Sequence, residues 1–531
     1  MARALDAARL EVMRHLLASV PEEMGAALKK TAFSPNVKER RDYSCAIFDG
    51  GAAMIAQAAH IPVHLGSTPL SVRAAIESGP LERGDMVLLN DPFRGGTHLP
   101  DLTLVAPVFL GTERRPSLFV ANRAHHADVG GMAPGSMALA TEIFQEGLRI
   151  PPVRFVRKGE VERDLLDLVL ANVRTPLERE GDLRAQIAAN AIGARRLTAL
   201  AERVGKEALL GASGAILDYS ERLLRGAIAT WPRGTFRAED ALDDDGLGSD
   251  PVPIRVSVTV SRGGSVIVDF GGTAPQVRGG LNANEAVTLS AVLYAIRCAA
   301  DRDVPVNDGC FRPIRLVAPR GTVVNALFPA SVAGGNVETS QRIVDVVFRA
   351  LARALPRVVP AASAGSMSNL TLGGADPRTG AAFTYYETIA GGMGARPGLD
   401  GLPAVQTHMT NTLNTPIEAL ETYFPVRVRA YAIRRGSGGR GKARGGDGLV
   451  RAIEALAPVE AAILSERRRL APYGLRGGRP GKRGENALVR KNEKTNRTGA
   501  TRLPGKWRGR LAPGDILVIA TPGGGGHGRA G

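Results

Sequence analysis

Apolar residues recur every three to four positions along the first 31 residues, with charges between them. That period predicts amphipathic helix, interrupted at Pro21. From Tyr43 to about Phe155 the pattern changes to short apolar runs broken by Gly and Pro: CAIFDGG, MVLLNDP, LTLVAPVFLG and SLFVANRAHH. These predict strands that run into polar loops. Thr175-Pro176-Leu177-Glu178 has the form of a capping box with proline at the first helical position. The Ala/Leu/Arg-rich stretch that follows, to about Trp231, predicts two long helices broken near Gly211. Ile254, Val256, Val258 and Val260 alternate with polar residues, Gly263-Gly264 turns the chain, and Val266, Val268 and Phe270 return. That is the pattern of a β-hairpin. Apolar helices are predicted near 285–300 and 337–355, and strands beyond them.

These elements predict a mixed α+β, multi-domain fold, since 531 residues exceed what one core holds. Residues 1–160 form a strand-and-loop region with N-terminal helices, and 161–250 a helical segment. Residues 251–425 form an α+β domain, and 426–531 a basic, Gly-rich, strand-rich C-terminal region.

Composition narrows the setting. Three cysteines, Cys45, Cys298 and Cys310, are too few and too scattered for a disulfide framework or a CxxC zinc knuckle. With no apolar run near the roughly 18 residues a membrane helix needs, the sequence predicts a soluble, cytoplasmic protein. The formal net charge of +16 is concentrated late in the chain, where 24 Lys/Arg face 7 Asp/Glu from Val426 onward. Clusters at Arg434–Arg444, Arg467–Arg469 and Arg476–Lys494 carry it. Few aromatics accompany them and no zinc finger or RNP-like motif is present, so the sequence disfavours nucleic acid and favours a solvated or subunit-docking face.

The chemistry concentrates elsewhere. Five of the eight histidines, His60, His64, His98, His125 and His126, fall within 67 residues. In NDPFRGGTHLPD (90–101), His98 and Asp101 are three apart, so an imidazole and a carboxylate can converge on one ion from a turn. In NRAHHADVGG (122–131), adjacent histidines on an extended segment point to opposite faces. Spacing leaves open which of His125 and His126 joins His98. The other, or Asp128, is a candidate for proton transfer. Asp42, ahead of the first strand, could add a carboxylate or merely cap that strand. His60 and His64 are four apart, but Pro62 between them argues against a helical zinc pair. They remain, with Asn90 and Arg94, candidates for the substrate pocket or for orienting the ligands. TPGGGGHG (521–528) lacks the lysine and helix of a phosphate loop, and no G-x-S-x-G nucleophile elbow occurs. A metal-activated water is the best nucleophile on offer.

Segments ERRDYSCAIFD (39–49), NDPFRGGTHLPDLTLVAPVF (90–109), RAHHADVGGMAPGSM (123–137), GNVETSQRIVDVV (335–347) and THMTNTLNTPIE (407–418) resemble the hydantoinase B/oxoprolinase family. The resemblance implies a metal held by Asp42, His98, Asp101 and His125, and so selects His125 over His126. It implies one divalent transition ion, zinc, manganese or iron, and a cyclic amide substrate such as a hydantoin, lactam or 5-oxoproline. It also implies a hetero-oligomer in which a separate A-type subunit uses ATP and Mg to phosphorylate the amide oxygen. The alternative branch is a subunit of an acetone/acetophenone-type carboxylase. GGTHLPD is more similar to the hydrolase branch.

Overall fold

Asp6 accepts a hydrogen bond from the Arg9 amide and so caps a helix that runs Ala7–Thr31. The computed structural model describes residues 6–530, apart from 59, 138, 301–302 and 492–497. Residues 1–5 of the predicted N-terminal helices, and Lys494 of the basic stretch, therefore lie outside the described residues. Contrary to the sequence expectation, Pro21 does not interrupt the helix. It costs about 3 kcal/mol in a helix interior. Met13, Leu17, Val20, Met24 and Leu28 share one buried face, and each buried side chain returns about 1.5–3 kcal/mol. Burial wins.

That face packs on one side of a seven-stranded antiparallel sheet. Its strands are β1 (Tyr43–Asp49), β2 (Met54–Gln57), β3 (Met86–Leu89), β4 (Asp101–Val108), β5 (Leu118–His125), β6 (Val153–Arg157) and β7 (Glu160–Val161). The spatial order is β2-β1-β5-β4-β3-β6-β7. Every residue of β4 and β5 is buried, because both faces of the sheet are covered. Ile47, Leu102, Leu104 and Val120 face the N-terminal helix and the helix Pro176–Val204. Phe48, Val105, Phe119 and Ala121 face the helix Thr68–Glu77 on the other side. Two cores back one sheet.

The long helices are Pro176–Val204 and Lys206–Ile228. They break at Gly205, not near Gly211, because Gly205 takes φ +89° and only glycine does so without strain. Thr175 makes no side-chain cap, so the predicted capping box is absent, while Pro176 does occupy the first turn. The predicted hairpin is present as Val252–Ser261 and Ser265–Asp269, at the centre of a four-stranded sheet completed by Gly234–Leu242 and Ile314–Val317. Helices Glu285–Ala299 and Ser340–Leu351 contribute to the same core. The second of these follows a π-helical turn, Gly335–Thr339. A third sheet joins Asn369–Ala375 and Ala382–Thr388 to Val459–Leu464 and Lys506–Leu511, and a fourth has five strands from Val426–Arg434 to Thr498–Leu503.

Several of the late basic residues are internal rather than solvated. Arg451 pairs with Glu387 at 3.1 Å, and Arg467 reaches Asp240 at 2.7 Å and Asp345 at 2.8 Å. Lys506 pairs with Glu466, and these pairs are buried or nearly so. Among the described residues, no helix is long and apolar enough to cross a membrane.

Candidate metal centre

The sheet register builds the site. In the antiparallel pair β4–β5, Asp101 lies directly opposite His125, so the two side chains share a face. The β1–β5 ladder begins at Tyr43 opposite Ala124, and the His125 amide donates to the Asp42 carbonyl at 2.9 Å. Three neighbouring strand ends thus bring Asp42, His125 and Asp101 to one edge. His98 arrives from the loop before β4. Asn90 braces that loop, its side chain donating to the Leu99 and Leu148 carbonyls and accepting from the Ile150 amide. Asn284 holds it from outside, donating to the carbonyls of Pro92, Gly96 and Thr97. Gly96 packs so tightly on the Asn90 carbonyl that a Cβ there would lie 2.5 Å from it.

His98, Asp101 and His125 each present one ligand atom, all within 4.8 Å of one another, and all three residues are buried. His98 Nδ1 lies 3.1 Å from Asp101 Oδ2, and His125 Nδ1 lies 3.2 Å from Oδ1. His98 Nδ1 makes no hydrogen bond despite that approach, and neither does His125 Nε2. Buried polar atoms without partners are rare. Orphaned imidazole nitrogens beside a carboxylate fit a cation, and this N/O donor set suits zinc, manganese or iron. Burial works against ionising Asp101, yet the His98 and His64 rings and hydrogen bonds from His125 and His64 hold its carboxyl well below the usual range. Burial pushes the His125 ring down, only partly offset by Asp101 and Asp42, which favours the neutral imidazole a metal requires.

Asp42 is next to this trio but outside it. Its carboxyl lies 3.9 Å from Arg40, and burial pushes it up although His125 and Arg40 oppose that. His64 joins the cluster, with Nε2 3.3 Å from Asp101 Oδ2 and Nδ1 2.7 Å from Ser44 Oγ. His60 does not. Its Nδ1 accepts from the Cys45 amide and its ring packs edge-on to Tyr43. His126 and Asp128 are also elsewhere. One residue beyond His125, His126 turns to the opposite face of the sheet and meets Gln186 of the long helix at 2.9 Å. Asp128 is engaged by Arg174 at 2.8 Å. Arg94 is exposed and lines a separate surface cavity with Phe93 and Glu285.

Residues from far along the chain close the site, and motif spacing did not single them out. Tyr386 stacks on His125 with ring centroids 4.6 Å apart, and the Arg40 guanidinium lies 4.8 Å from the Tyr386 ring centroid. The π-turn places Asn336 Nδ2 3.4 Å from His98 Nε2. Such turns recur at functional sites. Two residues on, Glu338 accepts from Asn369 at 2.7 Å, and the Asn369 side-chain oxygen accepts from the Tyr386 hydroxyl. Asn336 and Glu338 sit within GNVETS, so only the family resemblance drew attention to them.

Burial, reinforced by Glu466, pushes Glu338 up to about 8 from an ordinary 4.5. In this interval the folded chain keeps a proton that the unfolded chain releases. Stability from this group is therefore lost as pH rises from 4.5 towards about 8. Over that range the parent protein is expected to lose stability relative to Glu338→Gln in urea titrations. Parallel stability–pH curves for the two would refute the assignment.

The chain matches the Hydantoinase B/oxoprolinase family over residues 6–530. It is 42% identical over 530 residues to an uncharacterized protein of Methanocaldococcus jannaschii, covering 99% of this chain and 91% of that one. It is 38% identical to 5-oxoprolinase 1 of Arabidopsis thaliana, covering 98% of this chain but only 42% of the relative's length. Among solved structures, the ATP-dependent caprolactamase from Pseudomonas jessenii superposes with a TM-score of 0.91 at 28% identity, covering 99% of this chain and 92% of that one. With the family matched almost from end to end and the fold shared at this level, this chain belongs to the hydantoinase B/oxoprolinase family.

Proposed function

We propose that this chain is the metal-binding, hydrolytic component of a two-component, ATP-dependent cyclic amide hydrolase. It opens a hydantoin, lactam or 5-oxoproline ring after a separate A-type subunit, using ATP and Mg, has phosphorylated the amide oxygen. The observation that carries this reading is the buried His98–Asp101–His125 cluster with its orphaned ring nitrogens. The family match and the ring-opening names of two relatives support the substrate class.

In this reading His98, Asp101 and His125 would hold the ion, and Asp42, just ahead of β1, would complete the set. A bound divalent transition ion supplies Lewis acidity and a water acidified towards neutral pH. The protein's own groups do the rest. His64 and the Thr97 hydroxyl, 2.6 Å from Asp101 Oδ2, fix the carboxylate's orientation. Tyr386 covers His125, Arg40 backs the Tyr386 ring, and together they exclude bulk water, which strengthens every charge interaction beneath them. His126 and Asp128 take no part, being committed to Gln186 and Arg174.

The test is a substrate screen of this chain co-expressed with its A-type partner, reading both phosphate release and ring opening. Phosphate release coupled to ring opening, lost when either subunit is omitted, is the expected outcome. ATP-dependent incorporation of labelled bicarbonate into a ketone, without ring opening of any amide, would replace this reading with the carboxylase one.

A further inference from the structure

A cavity of about 690 Å³ lies apart from the metal centre, and none of the metal-site residues lines it. Its volume is that of a site for a small organic ligand. The walls combine an apolar, aromatic side with a cationic one. Tyr294 and Phe348 come from the helices Glu285–Ala299 and Ser340–Leu351. Arg357 and Arg396 line it as well, both exposed, and neither has an ion-pair partner among the described residues. Among the described residues, no Asp or Glu belongs to the lining. A cavity that carries cations and no carboxylate selects for negative charge.

The second observation is His408. It lines the cavity yet is only 6% exposed, with its ring set edge-on between Tyr294, at 5.9 Å, and Phe348, at 5.6 Å. Its Nε2 makes no hydrogen bond, although Asp345 Oδ1 lies 3.3 Å away. The backbone pays for this placement with φ +59°, a conformation that costs a non-glycine residue energy and persists where the surroundings impose it. Arg467 and Tyr473 fix Asp345 from behind, through its carboxylate and its carbonyl. His408 therefore closes the wall with the face of its ring, while its Nε2 is turned to Asp345 behind it.

We propose that this cavity is a binding site for a small organic anion. The anionic group sits on Arg357 and Arg396, and the apolar body lies against Tyr294, Phe348 and the His408 ring. The site is independent of the metal-dependent reading. It also has a physical connection to the metal centre. Gln406, on the cavity wall, donates to Thr388 Oγ1 at 3.1 Å, and Arg40 donates to the same oxygen at 3.0 Å. Arg40 in turn covers Tyr386, which stacks on His125.

Calorimetric titration of the purified full chain tests it with three probes: 5-oxoproline, 2-pyrrolidinone (the same ring without the carboxylate) and inorganic phosphate. Saturable one-to-one binding of 5-oxoproline is expected, at least about tenfold tighter than either other probe, the margin a charge-assisted contact gives. The double variant R357Q/R396Q, altered only at exposed positions, should lose at least that factor, and His98→Ala should lose none. Metal content read on the same samples reports separately on the metal centre. The proposal is overturned by absence of saturable binding, by equal binding of the uncharged ring, or by equally tight phosphate. It is also overturned if binding is lost in His98→Ala and kept in the arginine variant.

Discussion

Chain purified with Asp101→Asn is expected to retain almost no transition metal, against an expected content of about one ion per chain in the parent protein. Asp101 is the residue every other member of the cluster touches, with His98, His64 and His125 all within 3.3 Å of its oxygens. An amide of the same shape keeps the Thr97 contact and the β4 register but removes the charge that balances a dication. Removing an outer partner of a metal ligand already costs about 10–100-fold in affinity, so loss of the central ligand should exceed about a hundredfold. Elemental analysis after gel filtration reads the result directly. His126→Ala is the control, because that ring lies across the sheet on Gln186, and it should keep the full ion complement. If the two variants exchanged behaviour, the cluster would be assigned to the wrong face. Equal metal content in all three proteins would remove the site altogether.

Arg467→Met should be the most destabilising single change outside the site. The guanidinium is buried and bridges Asp240 and Asp345, drawn from separate parts of the chain. Among the described residues, deleting it leaves Asp345 only the His408 ring at 3.3 Å and Asp240 only Arg342 at 3.4 Å as ion-pair partners, and breaking a buried pair from one side typically costs about 3–5 kcal/mol. A lowered urea midpoint measures the loss. Adding Asp240→Asn and Asp345→Asn to the same chain should recover part of it, since the penalty comes from uncompensated charge rather than from lost packing. If the triple variant were less stable than Arg467→Met alone, the charge explanation would fail.

Legibility of the fold followed the strength of local signals. The N-terminal strands, the Val252–Asp269 hairpin and the apolar helices at 285–299 and 340–351 carry strong periodicity and stand where the pattern put them. Pro21 and Thr175 mislead because each local rule competes with burial. A proline is tolerated where a whole helix face is buried around it, and a capping side chain is dispensable once Pro176 starts the helix. The π-turn at Gly335–Thr339 has no periodic signature, and it carries Asn336, which reaches His98 of the candidate site.

By itself, the sequence determined which residue types crowd into the first 126 positions, that His98 and Asp101 share a turn, and that His125 and His126 must face opposite ways. Those properties are local, set by spacing and by the two-residue period of a strand. Spacing leaves open which histidine meets Asp101, and the family resemblance points to His125. The physical choice lies in the tertiary structure, because it depends on the β4–β5 register and on which face the long helix Pro176–Val204 covers. The closing of the site by Tyr386 and Asn336 was decided in the same way. These residues lie more than 200 positions from His125 in the chain, and no short-range pattern encodes a contact at that separation.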